Sequence, residues 1–123
     1  MILLAAACHS PGSSTDSVSP TDSVINAAGA DVDPVYRAGA KLVAASDCFT
    51  CHKVDEKMIG PSFSQIAAKY HFNEGNVDNL AGKIISGGKG LWGDVPMTAH
   101  PGLAANDAAE MVRYILSLRK TSP

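Results

Sequence analysis

The stretch "DCFTCHKV", residues 47–54, sets Cys48 and Cys51 three residues apart, with His52 directly behind the second. Three chemistries use this spacing: a redox dithiol, half of a zinc clip, and the segment through which a haem is covalently attached. Each demands different surroundings, so the choice among them also decides the fold. A thioredoxin-type dithiol sits at the start of a helix in a βαβ setting. A structural zinc site needs four ligands, usually as two separated pairs. Haem attachment needs two thiols about one helical turn apart, to reach two vinyl groups, and an adjacent imidazole to ligate iron from the same side.

The flanking sequence reads as helices. Asp33 followed by Pro34 is a helix start, an N-cap acceptor and then a residue already fixed at helical φ. The pattern predicts a helix from Pro34 to about Ser46, burying Val35, Ala38, Gly39, Leu42 and Val43, with Gly39 allowing another helix to come close. A second is predicted over Phe63–Tyr70, where Ser62 and Gln65 have the spacing of a capping box. A third runs from about Val77 to Ser86 and stops at Gly87-Gly88. The last follows Asn106 and Asp107; it puts Met111, Tyr114, Ile115 and Leu118 on one face and ends in Arg119 and Lys120, where cations suit the helix dipole. No alternating strand pattern competes. The expected fold class is all-α, about four helices with long irregular connections that need something central to pack against.

Absence of strands removes the dithiol. The other histidines, His9, His71 and His100, are scattered singly, which leaves zinc a weak second. Composition supports a central cofactor. The chain has 123 residues, room for one small domain, and its aromatic content is one Trp, three Tyr and three Phe. So thin a core gains much from a large apolar group at its centre, since buried apolar area contributes roughly 25 cal/mol per Å². The net charge of −2 gives no reason to expect a nucleic-acid partner.

A six-coordinate haem also needs a ligand from the opposite side. Met58 is only six residues from His52, and Met111 belongs to the apolar face of the last helix; both read as core fillers. Met97 lies in "GGKGLWGDVPMTAHPG", rich in Gly and Pro and without a helical period, a backbone that can lie against a flat ring. It is the best-placed thioether.

Charge and composition divide the chain. Residues 1–32 hold Asp16, Asp22 and Asp31 but no Lys or Arg; all 10 basic residues fall in residues 33–123. The segment 9–32, rich in Ser, Thr, Pro and Asp, cannot offset the entropy of ordering it and is expected to be a flexible tether. Residues 1–8, "MILLAAAC", resemble the end of a bacterial lipoprotein signal, with Cys8 as the lipidated residue; the alternative is an incidental cysteine. Residues 33–123 form the folded domain.

Taken together, Asp33-Pro34, Cys48-Phe49-Thr50-Cys51-His52, Lys57-Met58-Ile59-Gly60-Pro61, Ala67-Ala68-Lys69-Tyr70, Gly90-Leu91-Trp92-Gly93 and Val95-Pro96-Met97 resemble, in order, a short bacterial class I cytochrome c. The resemblance covers Asp33 to Lys120. It implies one covalently bound haem c, with thioethers at Cys48 and Cys51 and axial iron ligands His52 and Met97. It also implies that the Pro61 carbonyl accepts the second imidazole hydrogen of His52. Trp92 would line the haem and donate to a propionate, Lys83 would pair with a propionate, and Gly39 and Tyr114 would mark the crossing of the first and last helices. One departure stands out. Relatives have a small amide or proline-rich segment after the methionine, whereas this chain has Thr98-Ala99-His100; His100 could bond near the Met97 sulfur, replace it at high pH, or face solvent.

The function implied is one-electron transfer, not enzymatic turnover. It would run between a periplasmic or membrane donor and an oxidase, reductase or dehydrogenase. Lys53, Lys57, Lys83 and Lys89 would steer an acidic partner or simply form a solvated surface. A monomer is expected, on the periplasmic side of a bacterial membrane and tethered there if Cys8 is lipidated. The competing classes are a haem enzyme or gas sensor with a displaceable distal ligand, and a structural zinc module.

Overall fold

The computed structural model describes residues 32–120. The signal-like segment 1–8 with Cys8, and the tether up to residue 31, lie outside the described residues.

Chain entry follows from its first two residues. The Asp33 carboxylate accepts from the Val35 N–H at 3.0 Å, opening a 3-10 turn, Pro34–Tyr36, that runs into α1, Arg37–Ala45. A second 3-10 turn, Asp47–Thr50, carries the first cysteine. Helix α2, Phe63–Lys69, has the predicted capping box in full: Gln65 N–H donates to Ser62 Oγ at 3.1 Å, and Ser62 N–H donates to Gln65 Oε1 at 2.9 Å. Helix α3 spans Glu74–Ser86 and ends at Gly87, whose φ of 71° only a glycine adopts readily. Helix α4 spans Ala105–Ser117.

Helices α1, α2 and α3 all pack on α4. Val43, Phe63, Val77, Met111, Val112 and Tyr114 are the large residues almost wholly removed from water, and α4 supplies half of them. Each such burial is worth about 1.5–3 kcal/mol. Gly39 sets the α1–α4 crossing: a Cβ there would meet the Glu110 carbonyl and lie 2.9 Å from Tyr114 Cβ. Outside the core, Arg113 bonds Glu110 and Glu74 at 2.8 Å each, joining α4 to α3. Among the described residues no helix is long and apolar enough to cross a membrane.

The fold is mostly helical, with four α-helices as expected, but several expectations need correction. A two-stranded antiparallel ribbon, β1 (Gly88–Gly90) and β2 (Gly93–Met97), occupies the stretch read as irregular, with Gly88 opposite Met97 and Gly90 opposite Gly93. It leaves no alternating signature because glycines at φ 154°, 108° and 117° build it, not a two-faced row of side chains. Val35, in the 3-10 turn, and Ala38, on α1, are exposed, and Ala40 is buried. The first turn is 3-10 and directs Tyr36 to Phe72, ring centroids 5.9 Å apart, so the buried face is rotated by about one residue. Helix α3 starts earlier than predicted, because the Asn73 side chain caps it by accepting from Asn76 N–H at 2.8 Å. Asn106 and Asp107 lie inside the first turn of α4, and Arg119 and Lys120 fall beyond its end.

Candidate functional site

The turn Asp47–Thr50 bends the backbone so that the N–H groups of Cys51 and His52 both donate to Cys48 O, at 3.2 and 2.9 Å. This brings the two cysteines one turn apart, beside the imidazole. The chain then loops outward and is sewn back: Gly60 N–H donates to Cys51 O at 2.8 Å, Phe63 N–H to Lys53 O at 3.0 Å and Ser64 N–H to Val54 O at 2.9 Å. The capping box of α2 fixes Ser62, and with it the carbonyl of Pro61 just before it.

That carbonyl lies 2.6 Å from His52 Nδ1. A carbonyl only accepts, so Nδ1 carries the hydrogen and the lone pair is on Nε2, the tautomer that metal-ligating histidines use. The ring is held on its other faces as well. It stacks on Phe63 at 5.6 Å and 21°, Phe63 in turn packs against Phe49 at 5.7 Å, and Gly60 lies against its edge.

His52 opens onto a cavity of about 540 Å³, well inside the roughly 300–1,000 Å³ range of cofactor sites. All seven predicted site residues of the folded domain, Cys48, Cys51, His52, Pro61, Lys83, Trp92 and Met97, line this one cavity. Ile66, Ile84, Val112 and Ile115 supply apolar wall. Of the other described methionines, Met58 is not on the cavity and is 39% exposed, and Met111, wholly buried on α4, adds to the apolar wall behind it. Met97 comes from the end of β2, where Gly87 seats it: a Cβ on Gly87 would be 2.6 Å from Met97 O. Trp92 stands at the rim with Lys69 Nζ 4.9 Å from its ring centroid, a contact sequence patterns did not suggest.

His100 has a definite place. Its Nε2–H donates to Asp47 Oδ1 at 2.6 Å, its backbone N–H donates to Ile84 O at 3.0 Å, and the side chain is only 22% exposed. The bond to His100 is the first cause holding the Asp47 carboxyl below its ordinary range. Nδ1 of His100 is buried and has no hydrogen-bond partner among the described residues. Asp47 was absent from the predicted site, since an acid paired with a histidine 53 residues away leaves no local spacing to read.

Two of the chemistries weighed for this segment find little here. Burial, and after it the negative charge of Asp47, pushes the Cys48 thiol up to about 11, so it would make a poor attacking thiolate. Among the described residues no group of three or more His, Cys, Asp or Glu side chains could hold a metal ion, which leaves the zinc clip without further ligands.

The cytochrome c family model matches residues 36–119. The chain belongs to the cytochrome c family. It is 38% identical over 79 residues to cytochrome c-551 of Azotobacter vinelandii, covering 64% of this chain and 95% of that protein. Wild-type cytochrome c552 of Nitrosomonas europaea has a similar structure, with a TM-score of 0.61, 38% identity, and coverage of 65% of this chain and 99% of that one. The class 1 cytochrome MtoD of Sideroxydans lithotrophicus ES-1 follows at a TM-score of 0.58 and 27% identity, over 68% of this chain and 96% of the other. As a small class I monohaem cytochrome c, the protein has one covalent haem c as its cofactor, and Cys48, Cys51 and His52 fit the attachment motif. The cavity suits that group in three respects: two thiols at its wall, an apolar lining, and an imidazole whose free nitrogen is the one remaining after the bond to Pro61.

Proposed function

We propose that this cytochrome c is a one-electron carrier with axial ligands His52 and Met97 and thioether links at Cys48 and Cys51. The observation that carries the reading is the 2.6 Å contact of His52 Nδ1 with Pro61 O, which commits Nε2 to the cavity that Met97 also lines. When bound, the haem iron supplies the one-electron step by alternating between ferrous and ferric states.

The chain's own residues set the conditions for that step. His52 is kept in one tautomer and one orientation by Pro61, Phe63 and Gly60. Met97 offers a neutral thioether, which favours the less charged ferrous state and raises the potential. With His52 and Met97 both holding the iron, no position would be left for a substrate, so the protein would act as a carrier and not as an enzyme. The isoleucines and valine of the wall keep water away, and Lys83 and Trp92 at the rim suit the propionates.

Electrons would leave across the mouth of the cavity, where Ile59, Leu91, Trp92 and Val95 are exposed. This apolar surface fits a small, transient redox interface. Lys57, Lys83 and Lys89 ring it and would steer an acidic partner; Lys53 is engaged by Glu56 at 2.9 Å. The donor is periplasmic or membrane-bound and the acceptor a reductase, oxidase or dehydrogenase. The protein would act as a monomer on the periplasmic side of a bacterial membrane, with Cys8 as a lipid tether.

Absorption spectra of protein made with haem-attachment machinery test the proposal. The expected result is low-spin haem in both oxidation states, with a sulfur-to-iron band in the ferric form that is lost in Met97→Ala. High-spin haem in the unmodified protein, with rapid carbon monoxide binding when reduced, would overturn it in favour of a haem enzyme or gas sensor.

A further inference from the structure

We propose that Asp47 and His100 form a clamp across the cavity mouth that keeps Met97 on the iron. They are positioning residues, and their role rests on the reading of Met97 as the distal ligand. Asp47 is adjacent to Cys48 on the attachment side, and His100 lies three residues beyond Met97 on the opposite side; both line the same cavity. Their 2.6 Å bond ties together two walls that are 53 residues apart in the chain.

The clamp has a fixed base. His100 N–H donates to Ile84 O near the end of α3, and three residues on Gly87 lies so near the backbone of Met97 that a Cβ there would be 2.6 Å from Met97 O. The methionine segment is therefore held by α3 on one side and by the attachment segment on the other. The ribbon alone would hold it poorly. Its glycines Gly88, Gly90 and Gly93 have no atoms near their missing Cβ positions, so nothing packs on them there.

A consequence follows for ligand exchange. An external ligand reaches the distal position only when Met97 leaves, and the cost of that opening lowers the apparent affinity by the fraction of molecules that are open. If departure of Met97 breaks the Asp47–His100 bond, removing the bond raises the open fraction. Affinity for the external ligand rises by the same factor. The pair is partly exposed, so the factor is modest, roughly twofold to fivefold.

The probe is imidazole, titrated into the ferric, haem-loaded full chain and followed by loss of the sulfur-to-iron band. Asp47→Ala and His100→Ala are each expected to bind imidazole roughly twofold to fivefold more tightly than the unmodified protein. The double variant should be no tighter than either single one, since the same bond is lost only once. Asp47→Asn, which keeps an acceptor oxygen, should recover part of the difference. Asp78→Ala, which removes an equal charge from an exposed position on α3, should leave affinity unchanged. Amide exchange at His100 should speed up in Asp47→Ala, a variant that remains informative if His100→Ala folds poorly. A band present in every protein with one unchanged imidazole affinity overturns the clamp and leaves Met97 ligation standing. A band missing from the unmodified protein overturns the Met97 reading, and the clamp with it.

Discussion

Gly60 lies so close to His52 that a Cβ built on it would be 2.5 Å from the imidazole Cε1 and 2.9 Å from Nδ1. The same imidazole is pinned from the other side by Phe63 and by its bond to Pro61, so it cannot swing away without losing both. Gly60→Ala is expected to destabilise the haem-loaded protein by about 1–3 kcal/mol, the usual cost of overpacking. Guanidinium unfolding measures this. The reduction potential should rise as well, because a lengthened bond to Pro61 makes the imidazole a less basic ligand and supports ferric iron less. An unchanged potential would mean that the ring tolerates the methyl group without shifting.

A second contact without a side chain supports the helix framework. Gly39→Ala drives a methyl group into the Glu110 carbonyl and against Tyr114, at the point where α1 crosses α4. A loss of about 1–3 kcal/mol is expected. The shape of the Soret band in the folded protein should not change, since neither Gly39 nor Tyr114 lines the cavity. This separates a defect in framework packing from one in the iron site.

Ser62 is wholly buried and both gives and receives a bond at the start of α2. Ser62→Ala removes the acceptor for Gln65 N–H and should cost about 1 kcal/mol. Because Ser62 directly follows the carbonyl that His52 uses, faster solvent exchange of the His52 Nδ1 hydrogen is expected along with the loss. Normal exchange would show that the stitching bonds around Lys53 and Val54 hold Pro61 in place without the cap.

Asp55 carries a pH dependence with a definite sign. The Ser64 hydroxyl, and then Lys120 at 3.0 Å, hold its carboxyl below the ordinary value of 3.8. The unfolded chain binds this proton first as pH falls, so the folded state loses stability from about pH 4 downward, through the folded value. Above that window the contribution is complete. Asp55→Asn should therefore be less stable at neutral pH and show a shallower loss of stability as pH falls below about 4. Parallel acid-unfolding curves for the two proteins would remove Asp55 from the account.

Sequence alone made the helical parts and the attachment segment legible because their causes are local. A cap, its partner three residues on, and two thiols spaced one turn apart all act within a few residues. Asp33, Ser62 and Cys48-to-His52 are of this kind. The ribbon was not legible, since glycine backbones build it without a side-chain pattern. The rotated face of α1 depended on its first turn being 3-10, which the same residues do not announce. The partner of His100 was hidden for another reason: a long-range bond between two polar residues has no period, and only the closed chain brings Asp47 within reach. Resemblance went further than pattern for Lys83 and Trp92, whose place on the cavity with His52 and Met97 was an expectation from relatives and not from spacing.

Every helix that bounds the core packs on α4, and α4 is the last described element in chain order. During synthesis the thiols and imidazole of the attachment segment are thus in place before the helix that closes the core exists. The burial that pushes the Cys48 thiol up belongs to the closed fold alone, so the open chain presents a more reactive thiol than the folded one. Closing the wall and quieting the thiol are thereby one event, and attachment chemistry is best served by the open chain.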